Sequence, residues 1–169
     1  MFITNILKKF VPIERLALSK KYYIRYNCKL EDDGSISCRS MLVPYKPTVL
    51  DVRGYIEKDI NTECKNKITC EHFVDIMGTN FVVWLNAENQ ANYKAACDLA
   101  VQTNGENLPY TIRVGYSNDV KYVTFNTVEE ILEFWKGCTE HIQNCLKKCW
   151  EMKDSIDYSV YDLKEEELL

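Results

Sequence analysis

The chain has 169 residues, a length that allows one domain or two small ones. With 46% hydrophobic and 27% charged residues, its composition is globular and excludes a wholly disordered or fibrous chain. A net charge of −4 argues against a dedicated nucleic-acid-binding protein. No apolar run approaches the ~18 residues of a membrane span. Because Lys8 and Lys9 interrupt the apolar N-terminus, we also expect no export signal.

The N-terminal segment, residues 2–11, is predicted to be a short helix that Pro12 ends. Its apolar residues recur at helical spacing, and the first 21 residues contain five basic residues but only one acidic residue. This pattern fits packing on the chain's own core, docking on a partner or binding to an anionic membrane surface. Of these we expect a docking arm that is not part of the core, with Phe2, Ile6 and Phe10 as contact residues.

A hairpin and a helix are predicted next. Residues of alternating polarity flank Asp32-Asp33-Gly34, a three-residue loop with glycine at its left-handed position. This loop places Ile24 opposite Leu42, Tyr26 opposite Ser40 and Cys28 opposite Cys38. Thr48 and Asp51 then cap a helix that carries apolar residues up to Ile60. Residues 61–79 show weak periodicity and are predicted to be a connector.

The second half is predicted to begin near Met77-Gly78, so that residues 1–76 and 77–169 form two modules. A buried strand over 81–85 precedes a helix over 88–104, which Asn104-Gly105 ends. Strands over 110–116 and 120–125 then form a hairpin around Asn118-Asp119. This loop places Val114 opposite Val123 and Ile112 opposite Phe125. The predicted order, a hairpin and helix followed by a βαββα module, is of the α+β class.

A long helix begins at the capping box formed by Thr127 and Glu130. Apolar residues then recur with alternating spacings of three and four over roughly four heptads, which is typical of a coiled-coil seam. At 1.5 Å per residue, the helix is longer than a small domain can cover, so part of the seam should meet another chain or the first module. The seam residues expected at an interface are Val128, Ile131, Trp135, Ile142 and Cys149.

Eight cysteines in a chain without an export signal predict reduced thiols. Cys28 and Cys38 are expected to be two thiols side by side, although oxidation could join them. Along the long helix, Cys138, His141, Cys145 and Cys149 share one stripe, but the four stretch too far along the axis to bind one ion, and two or three of them would need a ligand from another chain. We therefore expect core packing there.

No metal, cofactor or catalytic residue is expected elsewhere. Cys64, Cys70 and His72 lack the paired-cysteine spacing of structural zinc sites. The sequence contains no nucleophile elbow, phosphate-binding loop, dinucleotide fingerprint or HExxH motif. The chain is therefore predicted not to be an enzyme.

A family resemblance rests on five segments: 83–94, 100–103, 108–109, 127–134 and 141–149. Together they resemble a phage-associated domain of unknown function that occurs in tail-fibre assembly proteins and in proteins of Bacteroides phages and prophages. The resemblance extends over about residues 76–158. It implies a phage or prophage origin and a role in the virion or in its assembly, and it carries over no catalytic residue.

The sequence thus predicts a non-enzymatic phage protein that assembles with itself or with other phage structural proteins. It would be located in the virion, and in the host cytoplasm during assembly. One alternative is a tail-fibre assembly chaperone that leaves the finished fibre. Another is a small phage regulator that binds a host protein.

Overall fold

The computed structural model describes residues 3–163, which fold as the predicted α+β class with a long C-terminal helix. Two compact units are present, one formed by residues 3–61 and 151–163 and the other by residues 62–150. The elements follow in the order β1 (Ile3–Leu7), β2 (Ile13–Arg15), β3 (Tyr22–Leu30), β4 (Ile36–Val43), α1 (Val49–Cys70), β5 (His72–Ile76), β6 (Thr79–Val83), α2 (Ala87–Gln102), β7 (Tyr110–Tyr116), β8 (Asp119–Phe125), α3 (Val128–Asp154) and a 3₁₀ turn (Tyr158–Tyr161).

The first unit is an antiparallel sheet of order β1-β4-β3-β2. One face carries the buried Ile24 and Tyr26, and the Tyr26 hydroxyl donates a hydrogen bond to Asp59 of α1 at 2.7 Å. The buried residues of α1 in this unit, Val52, Ile56 and Ile60, recur at helical spacing. The core of this unit therefore lies between α1 and that face of the sheet.

The N-terminal segment is a strand, so the predicted helix over 2–11 is wrong. Residues Ile3 to Leu7 pair antiparallel with β4, from Ile3 opposite Ser40 to Leu7 opposite Ile36. A ten-residue helix is marginal in water, whereas the edge of β4 offers a continuous row of backbone hydrogen bonds. Because β1 belongs to the sheet, the prediction that residues 1–11 are separate from the folded core is also wrong. Phe2 lies outside the described residues.

The β3–β4 hairpin has the predicted turn but a different register. Gly34 has a φ of +80°, and Leu30 pairs with Ile36 as the loop requires. A bulge between Tyr26 and Lys29 then shifts the pairing by one residue. Ile24 therefore lies opposite Met41 and not Leu42, and Tyr26 opposite Arg39 and not Ser40. A bulge adds one residue to one strand, which turn chemistry alone does not reveal.

Cys28 and Cys38 form a disulfide, so the expectation of two free thiols is wrong at this pair. Cys28 lies within the bulged stretch of β3, beside β4. The other six cysteines of residues 3–163 are free thiols.

Residues 61–79 are not a connector. Helix α1 continues through Cys70, and β5 and β6 form a tight hairpin around Met77 and Gly78. Both turn residues have positive φ, +53° and +80°, as in a two-residue hairpin loop. The expected boundary between residues 76 and 77 therefore falls inside a hairpin, whereas the two compact units divide near residues 61 and 150.

The second unit combines two hairpins with α2 and α3. Its buried core draws on β6, α2, β7, β8 and α3, with Val74 and Ile76 of β5 partly buried against it, and includes Val83, Leu85, Cys97, Ala100, Val114, Ile131 and Cys138. The β7–β8 loop is Ser117-Asn118, one residue earlier than predicted, so Ile112 lies opposite Val123 and Tyr110 opposite Phe125. A register change of two residues leaves each side chain on its predicted face, and Ile112 and Phe125 are accordingly buried.

Candidate functional site

One edge of the first sheet is formed by β1, whose only partner in the described sheet is β4; the short strand β2 forms the other edge. Ile3 is 55% exposed, Ile6 is 73% exposed, and Phe10 just beyond the strand is also exposed. An edge strand that carries exposed apolar side chains offers unpaired backbone groups to another strand. Two of the three predicted arm residues, Ile6 and Phe10, are thus accessible, although on and beside a strand and not on a helix.

The predicted seam of α3 is largely covered within the chain itself. Ile131 is 1% exposed and Cys149 is 8% exposed, so both are core residues. Val128, Trp135 and Ile142 are partly buried and pack against the same core. A coiled-coil seam and the buried face of an ordinary amphipathic helix have similar apolar spacing. The pattern therefore did not reveal what covers the apolar stripe of α3.

The end of α1 covers the C-terminal half of this stripe within the second unit. The Cys64 thiol donates to the Cys145 carbonyl at 3.8 Å, and the His141 imidazole lies 3.1 Å from the Lys67 carbonyl. Burial raises the pKa of Cys149 to about 12, with the neighbouring Cys64 thiol contributing. The Cys149 thiol is therefore protonated at neutral pH, which suits packing better than nucleophilic chemistry.

A groove of about 470 Å³ lies between β5, β8 and α3. Residues 72–74 of β5 and 123–125 of β8 line it, together with Phe134 and Gly137 of α3. Its other α3 residues, Glu130 and Glu133, are exposed. The groove is thus mainly apolar with acidic side chains beside it, and its volume is typical of a binding pocket.

His72 lies in this groove with its ring centroid 5.0 Å from that of His141. Burial, with a contribution from His141, lowers the pKa of His72 to about 4, so the imidazole is neutral at pH 7. Within residues 3–163, no three His, Cys, Asp or Glu side chains are arranged to hold a metal ion.

The sequence did not predict this groove, because His72 was assigned to the connector. The sequence did contain a signal for strand β5. His72, Val74 and Ile76 alternate along it and are all half-buried, and the Met77-Gly78 turn follows. β5 and β8 are distant in sequence, and no local pattern encodes that they line the same groove.

A family model described as Domain of unknown function (DUF4376) matches residues 56–167, more than half of the chain. The chain belongs to the DUF4376 family. The matched region begins within α1 and includes the groove, whereas β1 to β4 lie outside it. No curated protein and no solved structure matches the chain. Across residues 3–163, no helix of this DUF4376 protein is both long and apolar enough to cross a membrane.

Proposed function

We propose that this DUF4376 protein is a non-enzymatic bacteriophage protein that acts through protein–protein assembly. It is a structural or accessory component of the virion, associated with the fibre, tail or capsid. Two independent features support the proposal: the resemblance of segments in residues 76–158 to a phage-associated domain, and an apolar surface available for association.

The observation that carries the proposal is the exposed edge of β1. Ile6 on this strand is 73% exposed, and Lys8 and Lys9 are exposed directly after the strand. A monomeric protein commonly protects such an edge with charges or proline within the strand, and Ile3–Leu7 contains neither. Addition of a strand from a second copy or from another phage structural protein would pair the open backbone groups and bury Ile3 and Ile6.

The proposal is tested by mass spectrometry of purified particles from the phage or induced prophage that encodes the chain. A virion component remains in mature particles at a fixed ratio to the other structural proteins. A tail-fibre assembly chaperone would be present in assembly intermediates and absent from mature particles. Absence from both would overturn the proposal.

The role of β1 is tested with Ile6→Lys, which places a charge where the added strand would pack. We expect the variant to fold with an unchanged thermal midpoint but to lose incorporation into particles. Leu18→Lys is the matched control, because Leu18 is a fully exposed leucine outside the strands. Equal incorporation of both variants would show that the β1 edge is not the assembly surface.

A further inference from the structure

The groove of the second unit lies between two strand edges that have no strand partner in the described sheets. β5 pairs only with β6, and β8 only with β7, yet both β5 and β8 line the groove. In an antiparallel hairpin, alternate residues direct their main-chain groups away from the partner strand. The pair next to the loop is Ile76 with Thr79 in one hairpin and Tyr116 with Asp119 in the other. Phe73 and Thr124 each lie an odd number of positions from these pairs, so their main-chain groups point away from the partner strand.

The interior of the groove suits apolar side chains. Val74, Val123, Phe125 and Phe134 line it, and all four are buried or half-buried. Gly137 contributes no side chain, and a Cβ built there would approach only His72 Cε1, at 3.9 Å. The helix backbone is therefore exposed to the groove at this point, which leaves room for an incoming side chain.

The charges around the groove are acidic. Glu130 and Glu133, three residues apart in the first two turns of α3, line the groove, and its lining includes no lysine or arginine. Glu130 also accepts a hydrogen bond from the Asn126 amide at 2.6 Å, which holds its carboxylate at the helix start. A partner with basic residues beside its apolar side chains would complement this surface.

We propose that this groove binds an extended peptide segment of a partner protein, with apolar side chains between β5 and β8 and a basic residue near Glu133. The open main chain at Phe73 or Thr124 pairs with the backbone of the peptide. The two unpaired strand edges favour a peptide over a small apolar ligand, because only a peptide satisfies both the main-chain groups and the apolar lining. This inference concerns residues 62–150 and does not depend on β1 or on a phage origin.

The test uses the full chain labelled with ¹⁵N and a pool of blocked heptapeptides. Each peptide has lysine at both ends, threonine at the third and fifth positions, and valine, leucine, isoleucine or phenylalanine at the others. We expect amide shifts at Phe73 and Thr124, and none at Ile6, with a dissociation constant below about 1 mM. The absence of amide shifts at a peptide concentration of about 1 mM would overturn the proposal. Binding of an apolar dye without binding of the peptides would also overturn it, in favour of a small-ligand pocket.

Gly137→Leu fills the groove and should weaken peptide binding at least about tenfold. Gly54→Leu is the matched control, since Gly54 is also a helical glycine and has open space around its Cβ position. Glu133→Lys is a second, exposed variant that should weaken binding several-fold, and it serves if Gly137→Leu does not fold. Unchanged affinity in the folded groove variants would contradict the assignment of this site.

Discussion

The imidazole rings of His72 and His141 lie with their centroids 5.0 Å apart and their planes inclined by 37°. His72 comes from the first position of β5 and His141 from the middle of α3, and they are the only two histidines in the chain. Burial and the neighbouring His141 ring both disfavour the charged form of the His72 imidazole, and so lower its pKa. The stability of the second unit should therefore depend on pH.

We expect the free energy of unfolding to fall as the pH is lowered from about 6.5 towards 4. Burial lowers the pKa of His72 from 6.5 to about 4, so between these values the unfolded chain binds a proton that the folded chain does not. The stability due to the neutral imidazole is full above pH 6.5 and is lost as the pH falls. In His72→Gln this loss should be smaller by about 1–2 kcal/mol, measured by urea unfolding at pH 7 and pH 4.5. Identical pH profiles for the two proteins would contradict the prediction.

Asp59→Ala should destabilise the first unit by about 2–3 kcal/mol. The Asp59 carboxylate accepts hydrogen bonds from the Tyr26 hydroxyl at 2.7 Å and from Arg39 Nε at 2.8 Å, and Tyr26 is 2% exposed. Asp98→Ala is the control, because Asp98 pairs only at the surface, with Lys94 one helical turn away. Chemical unfolding should show a loss within about 0.5 kcal/mol for this control. If Asp59→Ala also lost no more than about 0.5 kcal/mol, the buried hydrogen-bond network would contribute little to stability.

Ile131→Ala should cost about 2–5 kcal/mol of folding free energy, because Ile131 is 1% exposed in the core of the second unit. Leu132→Ala, one position along the same helix but 43% exposed, should cost less than about 1 kcal/mol. Denaturant unfolding followed by circular dichroism measures both. If Ile131→Ala instead leaves a fully stable monomer but dissociates an oligomer, the seam is an interface between chains, as the heptad spacing first indicated.

Thiol titration in denaturant should detect six free thiols without reductant and eight after reduction. The structure joins Cys28 to Cys38 and leaves six cysteines free among residues 3–163, a range that includes all eight cysteines of the chain. Cys28→Ser should remove the difference between the two titrations, whereas Cys97→Ser should lower both counts by one. Eight thiols in the unreduced protein would restore the sequence-based prediction that all cysteines are reduced.

Local signals in the sequence determined the starts of α1 and α3, the turn of the β3–β4 hairpin and the end of α2. The capping box at α3 forms as predicted, since Thr127 Oγ1 accepts from the Glu130 amide at 3.2 Å and the Glu130 carboxylate accepts from the Thr127 amide. Thr48 and Asp51 cap α1 in the same way, since Thr48 Oγ1 accepts from the Asp51 amide and the Asp51 carboxylate accepts from the Thr48 amide. Gly34 and Gly105 occupy left-handed positions, with φ of +80° and +90°. Each of these features depends on residues within a few positions of one another, so the sequence alone sufficed to predict them.

Only the tertiary structure decided what each element packs against. The apolar spacing of residues 2–11 fits a helix, but pairing with β4 makes Ile3–Leu7 a strand, because backbone hydrogen bonds to a sheet edge outweigh a weak local preference. The stripe on α3 has coiled-coil spacing, but the end of α1 and the two hairpins cover much of it. The groove and the histidine pair likewise bring β5 together with β8 or α3, which follow much later in the chain. Long-range packing depends on which faces meet in space, and periodicity along the chain specifies the face but not its partner.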